Sequence, residues 1–183
     1  MRRIVACLLL ASLPTLGEAR QAPPSPSSHA TALVALRGES ALAPENTLAA
    51  VRHAAAVGVR RVWVDVRTTS DGALVLMQDD TLDRTTSCRG TVRGTTLAAL
   101  AGCDAGSWFD ARYALERVPR LAEVLALPEV LLVAHLADAA PDAVVAAAAS
   151  AGARERLTVV SRRPEDVAAV ESVAPEVATW LRA

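Results

Sequence analysis

The feature that most restricts this 183-residue chain is an alternation, in which short runs of aliphatic and β-branched residues recur between alanine-rich stretches with helical spacing. Apolar runs at residues 33–36, 62–66, 73–77, 130–136, 157–161 and 177–181 read as strands. Helices are expected at 46–57, 121–127, 142–152 and 164–173, the first with Pro44 just ahead of it and Gly58 as its stop. The strand runs are apolar at nearly every position, which suits a sheet covered on both faces. Repeated βα units of this kind imply an α/β fold with a parallel sheet, either doubly wound or closed as a (β/α) barrel. Six strands can be counted, and between the third and fourth lies a polar excursion at residues 79–119 with one short helical patch at 97–101.

The N-terminus reads as an export signal. Arg2 and Arg3 precede an apolar run that ends at Pro14, and Gly17, Glu18 and Ala19 supply a small-residue cleavage box. Residues 1–19 are therefore expected to be a signal peptide, since the run falls short of the roughly 20 apolar residues a membrane span needs. Cys7 lies inside the apolar run, which argues against a lipid-modified lipoprotein. Residues 20–30 form a Pro/Ser-rich linker, and residues 31–183 hold the folded domain. Export would leave Cys88 and Cys103 in the periplasm or outside the cell, either as a disulfide or as two unrelated buried thiols. Nucleic acid is excluded as a partner by charge. The chain has no lysine, its 19 arginines face 20 carboxylates, and only 3% of its residues are aromatic.

In such sheets chemistry gathers at the carboxyl ends of the strands. Those ends read Leu36-Arg37-Gly38, Val64-Asp65 and Gln78-Asp79-Asp80. The segments LRGESALAPENTLAAV, VWVDV, DGALVLMQDDTLDRTT and LAGCDAGSWFD, taken together and in this order, resemble the glycerophosphodiester phosphodiesterase family over roughly residues 33–128. The resemblance implies a (β/α)8 TIM-type barrel with a small lobe inserted after the third strand, where residues 79–119 fall. It also implies a truncated member that stops after about six strands. An open barrel of that kind is expected to pair with another chain or itself, to aggregate, or to relax into a smaller arrangement.

The activity implied by the resemblance is cleavage of glycerophosphodiesters. One His takes a proton from the attacking glycerol hydroxyl and another protonates the leaving alcohol, while an Arg and a divalent cation, Mg²⁺ or Ca²⁺, stabilise phosphoryl charge. The cation needs several oxygen ligands, supplied in the family by Glu-x-Asp on one strand and a later Glu on another. Alternation along a strand puts both members of Glu-x-Asp on one face.

Carried over by position, the first catalytic His is Leu36, and Arg37 remains to bind phosphate or to form a salt bridge inside the mouth. Glu-x-Asp is Trp63-Val64-Asp65, which leaves Asp65 as a metal carboxylate; the later Glu falls at Ala134 or, one residue on, at His135. The second catalytic His is Gln78, before Asp79 and Asp80. Leucine cannot exchange a proton, and glutamine cannot act as a general acid near neutrality. One imidazole and one carboxylate also make a poor cage for a hard cation.

Of the remaining histidines, His29 lies in the linker, His53 reads as a solvated or packed helical residue, and His135 as a core or structural strand position. Glu45, in Pro44-Glu45-Asn46-Thr47, neighbours the site but reads chiefly as part of helix initiation, while Trp108 and Phe109 are expected to pack the lobe onto the barrel. The expectation is a pseudoenzyme of the family, catalytically impaired or inactive, whose ligand, if any, is a small glycerophosphodiester. The alternative is an active hydrolase that uses substitute residues.

Overall fold

A computed structural model describes residues 33–183, so the expected leader, the linker, Cys7 and His29 lie outside the described residues. The strands are β1 (Ala35–Leu36), β2 (Arg61–Thr68), β3 (Leu74–Leu76), β4 (Leu131–Leu136), β5 (Leu157–Ser161) and β6 (Ala178–Leu181). They form one sheet in the order β1-β2-β4-β5-β6, with β3 beside β2. The helices are α1 (Leu48–Ala56), α2 (Leu97–Leu100), α3 (Leu121–Leu125), α4 (Pro141–Ser150) and α5 (Pro164–Val173). This is the expected α/β sheet of six strands, with one difference of direction. Strand β3 pairs with β2 antiparallel, Val66 opposite Leu76, whereas every other pairing is parallel. The five residues between β2 and β3 allow only a hairpin, because a parallel crossover takes roughly a dozen or more.

Alternation along the parallel strands divides the sheet into two faces. Val62, Val64 and Val66 of β2 and Leu132, Ala134 and Leu136 of β4 join Val51 of α1, Leu121 of α3, Val144 of α4 and Val170 of α5 in one buried core. Burying each such aliphatic side chain contributes about 1.5–3 kcal/mol, so this layer carries the sheet. Helix starts are set locally. Thr47 caps α1 by accepting the Ala50 N–H, and α4 and α5 open on Pro141 and Pro164, where a missing N–H is harmless.

The segment between β3 and α3 packs a separate small core of Met77, Leu82, Val92, Leu100, Cys103, Ala105 and Val118, together with Val75. Cys88 and Cys103 are joined in a disulfide across this core, which decides between the two readings of the cysteines. The Asp104 carboxylate accepts the backbone N–H groups of Gly106, Ser107 and Leu115 and the Ser107 hydroxyl. These backbone donors hold its pKa far below the ordinary carboxylate range. A side chain at position 106 would collide with the Tyr113 carbonyl, so this turn admits glycine alone. Trp108 does not dock the lobe as expected: it is 40% exposed and donates its indole N–H to the Ala105 carbonyl. Phe109 stacks edge-on between Trp108 and Tyr113, and it is the Tyr113 hydroxyl that reaches out, donating to the Leu42 carbonyl in the β1–α1 connection.

Candidate functional site

The carboxyl ends of β1, β2, β4, β5 and β6 open on a cavity of about 600 Å³. Its first wall is the turn after β1. Arg37 (φ 56°) and Asn46 (φ 56°) are both left-handed, a conformation that non-glycine residues adopt only when their surroundings enforce it. The enforcement is visible: the Asn46 N–H donates to the Arg37 carbonyl at 2.9 Å, and a Cβ on Gly38 would lie 2.6 Å from the Ala50 backbone. Both strained residues converge on Asp65. Arg37 Nε and Asn46 Nδ2 donate to Asp65 Oδ2 at 3.2 Å each, and Asn46 Oδ1 in turn accepts the Asp65 N–H at 3.1 Å.

The other carboxylate oxygen of Asp65 accepts the Trp63 indole N–H at 3.2 Å and lies 2.9 Å from His135 Nδ1. Pairing of β2 with β4 sets Asp65 directly beside His135. That register resolves the two candidate positions: His135 faces the cavity, while Ala134 is fully buried among the helices. Of the core or structural role read for His135 from sequence, the core half is corrected, while the contact with Asp65 is compatible with the structural half. His135 is a partly buried site residue whose Nε2 takes no partner among the described residues. Burial pushes the Asp65 carboxyl up, but the hydrogen bonds from His135, Trp63 and Asn46 and the Arg37 charge outweigh it and hold the pKa below its ordinary value.

The remaining acids of this wall are paired as well. The expectation that Glu45 serves chiefly in helix initiation is corrected: Thr47 supplies the cap of α1, and the Glu45 carboxylate lies 3.4 Å from Arg37 Nη1 and 2.7 Å from Arg84 Nη2. Arg84 also donates to Asp79 at 2.7 Å and to Gln78 Oε1 at 3.3 Å. Its hydrogen bonds hold the Asp79 pKa below the usual range. Gln78 thus serves as an acceptor at the cavity rim, and Leu36, 54% exposed, lines the cavity with an inert side chain.

A hard divalent cation does not fit this set. An ionised carboxylate has about four acceptor positions, and four donors already occupy those of Asp65. Trp63 presents an N–H donor to Asp65 and no ligand atom, and Arg37 places a fixed positive charge between Asp65 and Glu45. Among the described residues no three His, Cys, Asp or Glu side chains converge as a metal centre would require.

Sequence reasoning missed the arginines on the rest of the wall. Arg67, Arg93, Arg162, Arg163 and Arg182 join Arg37 around the cavity, against two carboxylates, Asp65 and Asp138. Arg67 could have been found, because it stands two residues beyond Asp65 and so shares its face. It grips the Gln78 carbonyl at 2.7 Å and Asp138 at 3.2 Å, fixing the β2–β3 hairpin to the end of β4. Arg162, Arg163 and Arg182 carry no such signal, since only the side-by-side arrangement of β5 and β6 brings them together.

Comparison with known proteins places the fold. Residues 37–137 match the Glycerophosphoryl diester phosphodiesterase family. A glycerophosphodiester phosphodiesterase of Caldanaerobacter subterraneus subsp. tengcongensis is 43% identical over 97 residues, which cover 53% of this chain and 40% of the relative. Human glycerophosphodiester phosphodiesterase 1 is 38% identical over 132 residues, covering 66% of this chain and 40% of its own. The chain thus spans about 40% of the length of these curated relatives. Among solved structures, a glycerophosphodiester phosphodiesterase from Agrobacterium tumefaciens superposes with a TM-score of 0.76 at 34% identity, covering 81% of this chain and 65% of that one. A phosphodiesterase from Oleispira antarctica in complex with the product sn-glycerol-3-phosphate superposes with a TM-score of 0.71 at 31% identity, covering 80% and 63%.

Proposed function

We propose, from the premise that this chain belongs to the glycerophosphoryl diester phosphodiesterase family, that its cavity binds a glycerophosphodiester-like anion without carrying out cation-dependent hydrolysis. The observation that carries this reading is the state of Asp65, whose carboxylate is fully committed to Arg37, Asn46, Trp63 and His135. Leu36 and Gln78, at the two acid/base positions of the family pattern, offer no group that can exchange a proton near neutrality. The arginine-rich wall supports anion binding, and the product complex of the Oleispira antarctica neighbour supports an organic phosphate as the ligand class.

The test is hydrolysis of glycerophosphocholine by protein that melts cooperatively, with Mg²⁺ or Ca²⁺ and with chelator. No turnover above buffer is expected from the unmodified chain, and cation-dependent turnover overturns the reading. A chain carrying Leu36→His, Trp63→Glu and Gln78→His is the companion sample, and activity confined to it assigns the loss to those positions.

One observation favours a second reading, in which hydrolysis continues with a substitute group. The Asp65–His135 contact at 2.9 Å orients an imidazole whose other nitrogen has no partner among the described residues. Turnover that persists in chelator and disappears in His135→Ala would establish that alternative.

The reading extends to compartment and assembly. Export is supported by the leader-like residues 1–19 and by the Cys88–Cys103 disulfide, which suits an oxidising compartment. Self-association is supported by the sheet edges: among the described residues β1 and β6 flank the sheet, and Leu36, Trp180 and Leu181 are 54%, 41% and 57% exposed. Sedimentation of the same sample at rising concentration tests it, and a constant monomer mass overturns it.

A further inference from the structure

Resting on the reading that the cavity binds an organic phosphate, we propose that its occupant is a phosphate monoester held by Arg162, Arg163 and Arg182, with no divalent cation taking part. The two halves of the cavity wall differ in how their charges are matched. On the β2 side Arg37 is tied to Asp65 and Glu45, and Arg67 and Arg93 share Asp138 at 3.2 and 3.7 Å. On the β5–β6 side Arg163 gives only its Nε to Asp166, at 2.9 Å, which leaves its terminal Nη pair for a ligand. Arg162 and Arg182 pair with no carboxylate among the described residues.

The backbone brings these three side chains to one place. Arg162 and Arg163 follow the last residue of β5, and the Arg182 N–H donates to the Ser161 carbonyl at 2.9 Å, so the two strand ends are tied together. The Arg182 guanidinium lies 5.7 Å from the centre of the Trp63 ring, over the mouth of the cavity.

Charge decides between the ligand classes. A phosphodiester carries one negative charge on two free oxygens, whereas a monoester near neutrality carries between one and a half and two on three free oxygens. Two guanidinium groups with no carboxylate partner among the described residues and a third set of N–H donors match the monoester. Planar forks of this kind recognise phosphate by paired hydrogen bonds. They also supply the positive charge that a cation would supply elsewhere, which is why the carboxylates on the opposite wall can be consumed by internal pairs.

The experiment follows the fluorescence of Trp63 and Trp180, both at or near the cavity, during titration with glycerol 3-phosphate, glycerophosphocholine and inorganic phosphate, each in EDTA and in Mg²⁺. The expected result is saturable binding of the monoester, tighter than the diester and with the same Kd in both media. Arg162→Ala and Arg182→Ala are each expected to weaken it by about tenfold or more, while Arg52→Ala, on the exposed side of α1, leaves it unchanged. Comparable binding of inorganic phosphate supports the arginine site and identifies free phosphate as an equal source. Weaker binding of inorganic phosphate supports it too and assigns part of the affinity to the organic group.

A requirement for Mg²⁺, a preference for the diester, or affinity indifferent to Arg162 and Arg182 overturns the proposal while leaving anion binding intact. Absence of saturable binding by every ligand overturns both this proposal and the binding reading beneath it. Turnover of glycerophosphocholine overturns the loss of hydrolysis alone.

Discussion

Val64, Leu132 and Ala134 are sealed between the sheet and its helices, whereas the lobe after β3 closes around a smaller apolar cluster stitched by the Cys88–Cys103 disulfide and gathered by the Asp104 carboxylate. The first region is held by burial, which is indifferent to the identity of the side chains on its other face. The second is held by a few directional bonds. Both hold in place the walls of the cavity that Leu36, Trp63 and Gln78 line. The difference shows that architecture and chemistry here rest on separate residues, so one can change without the other.

The comparison can be broken most forcefully in the sheet. Leu132→Ala empties a position that is 2% exposed beneath the helices and is expected to lower unfolding free energy by about 3–5 kcal/mol in a denaturant titration. The loss should be global, with amide protection falling in β2, β4 and β5 together. A smaller effect is expected from Cys88→Ser. Releasing a loop of 15 residues removes about 3 kcal/mol of constraint on the unfolded chain. Here amide protection should fall first in residues 78–118 while β4 and β5 keep theirs. Equal loss in both regions would mean that lobe and sheet unfold as one unit.

The smallest effect is an acid limb that both regions share. The pKa values of Asp65 and Asp104 are lowered in the folded state. Their contribution is therefore fully present above the unfolded carboxylate value of about 3.9 and is lost as pH falls below it through the folded values. Asp104→Asn should flatten the acid dependence of lobe melting, followed by Trp108 fluorescence, and leave that of the sheet. An unchanged acid limb in that variant would assign it to other carboxylates.

Much of the fold could be read from the chain because its signals were local. The bounds of β5 and α5 match the sequence reading residue for residue, since a short β-type run ends at Ser161 and Pro164 opens the helix three residues on. Strand β1 contracts to Ala35 and Leu36 because only those residues find partners on β2. The antiparallel direction of β3 was missed although its signal lay in the sequence, for the apolar run itself carries no arrow but the short connection from β2 does.

At the site, Leu36, Arg37, Trp63, Asp65 and Gln78 all line the cavity where the motif spacing put them. The choice between Ala134 and His135 needed the β2–β4 register, which no spacing rule supplies. Asp138 and the β5–β6 arginines stayed hidden because a charged residue at a strand end says nothing until its neighbours in space are known.

The indole of Trp63 bears on how the site would answer a carboxylate placed at that position. Trp63→Glu alone would replace a donor to Asp65 with a second negative charge two residues away on the same face of β2. Two arginines would face that charge: Arg37, already divided between Asp65 and Glu45, and Arg182, whose guanidinium lies 5.7 Å from the centre of the Trp63 ring. A carboxylate there would cost Asp65 one hydrogen bond and draw on arginines of both walls, so a change at this one residue would redistribute charge across the whole mouth.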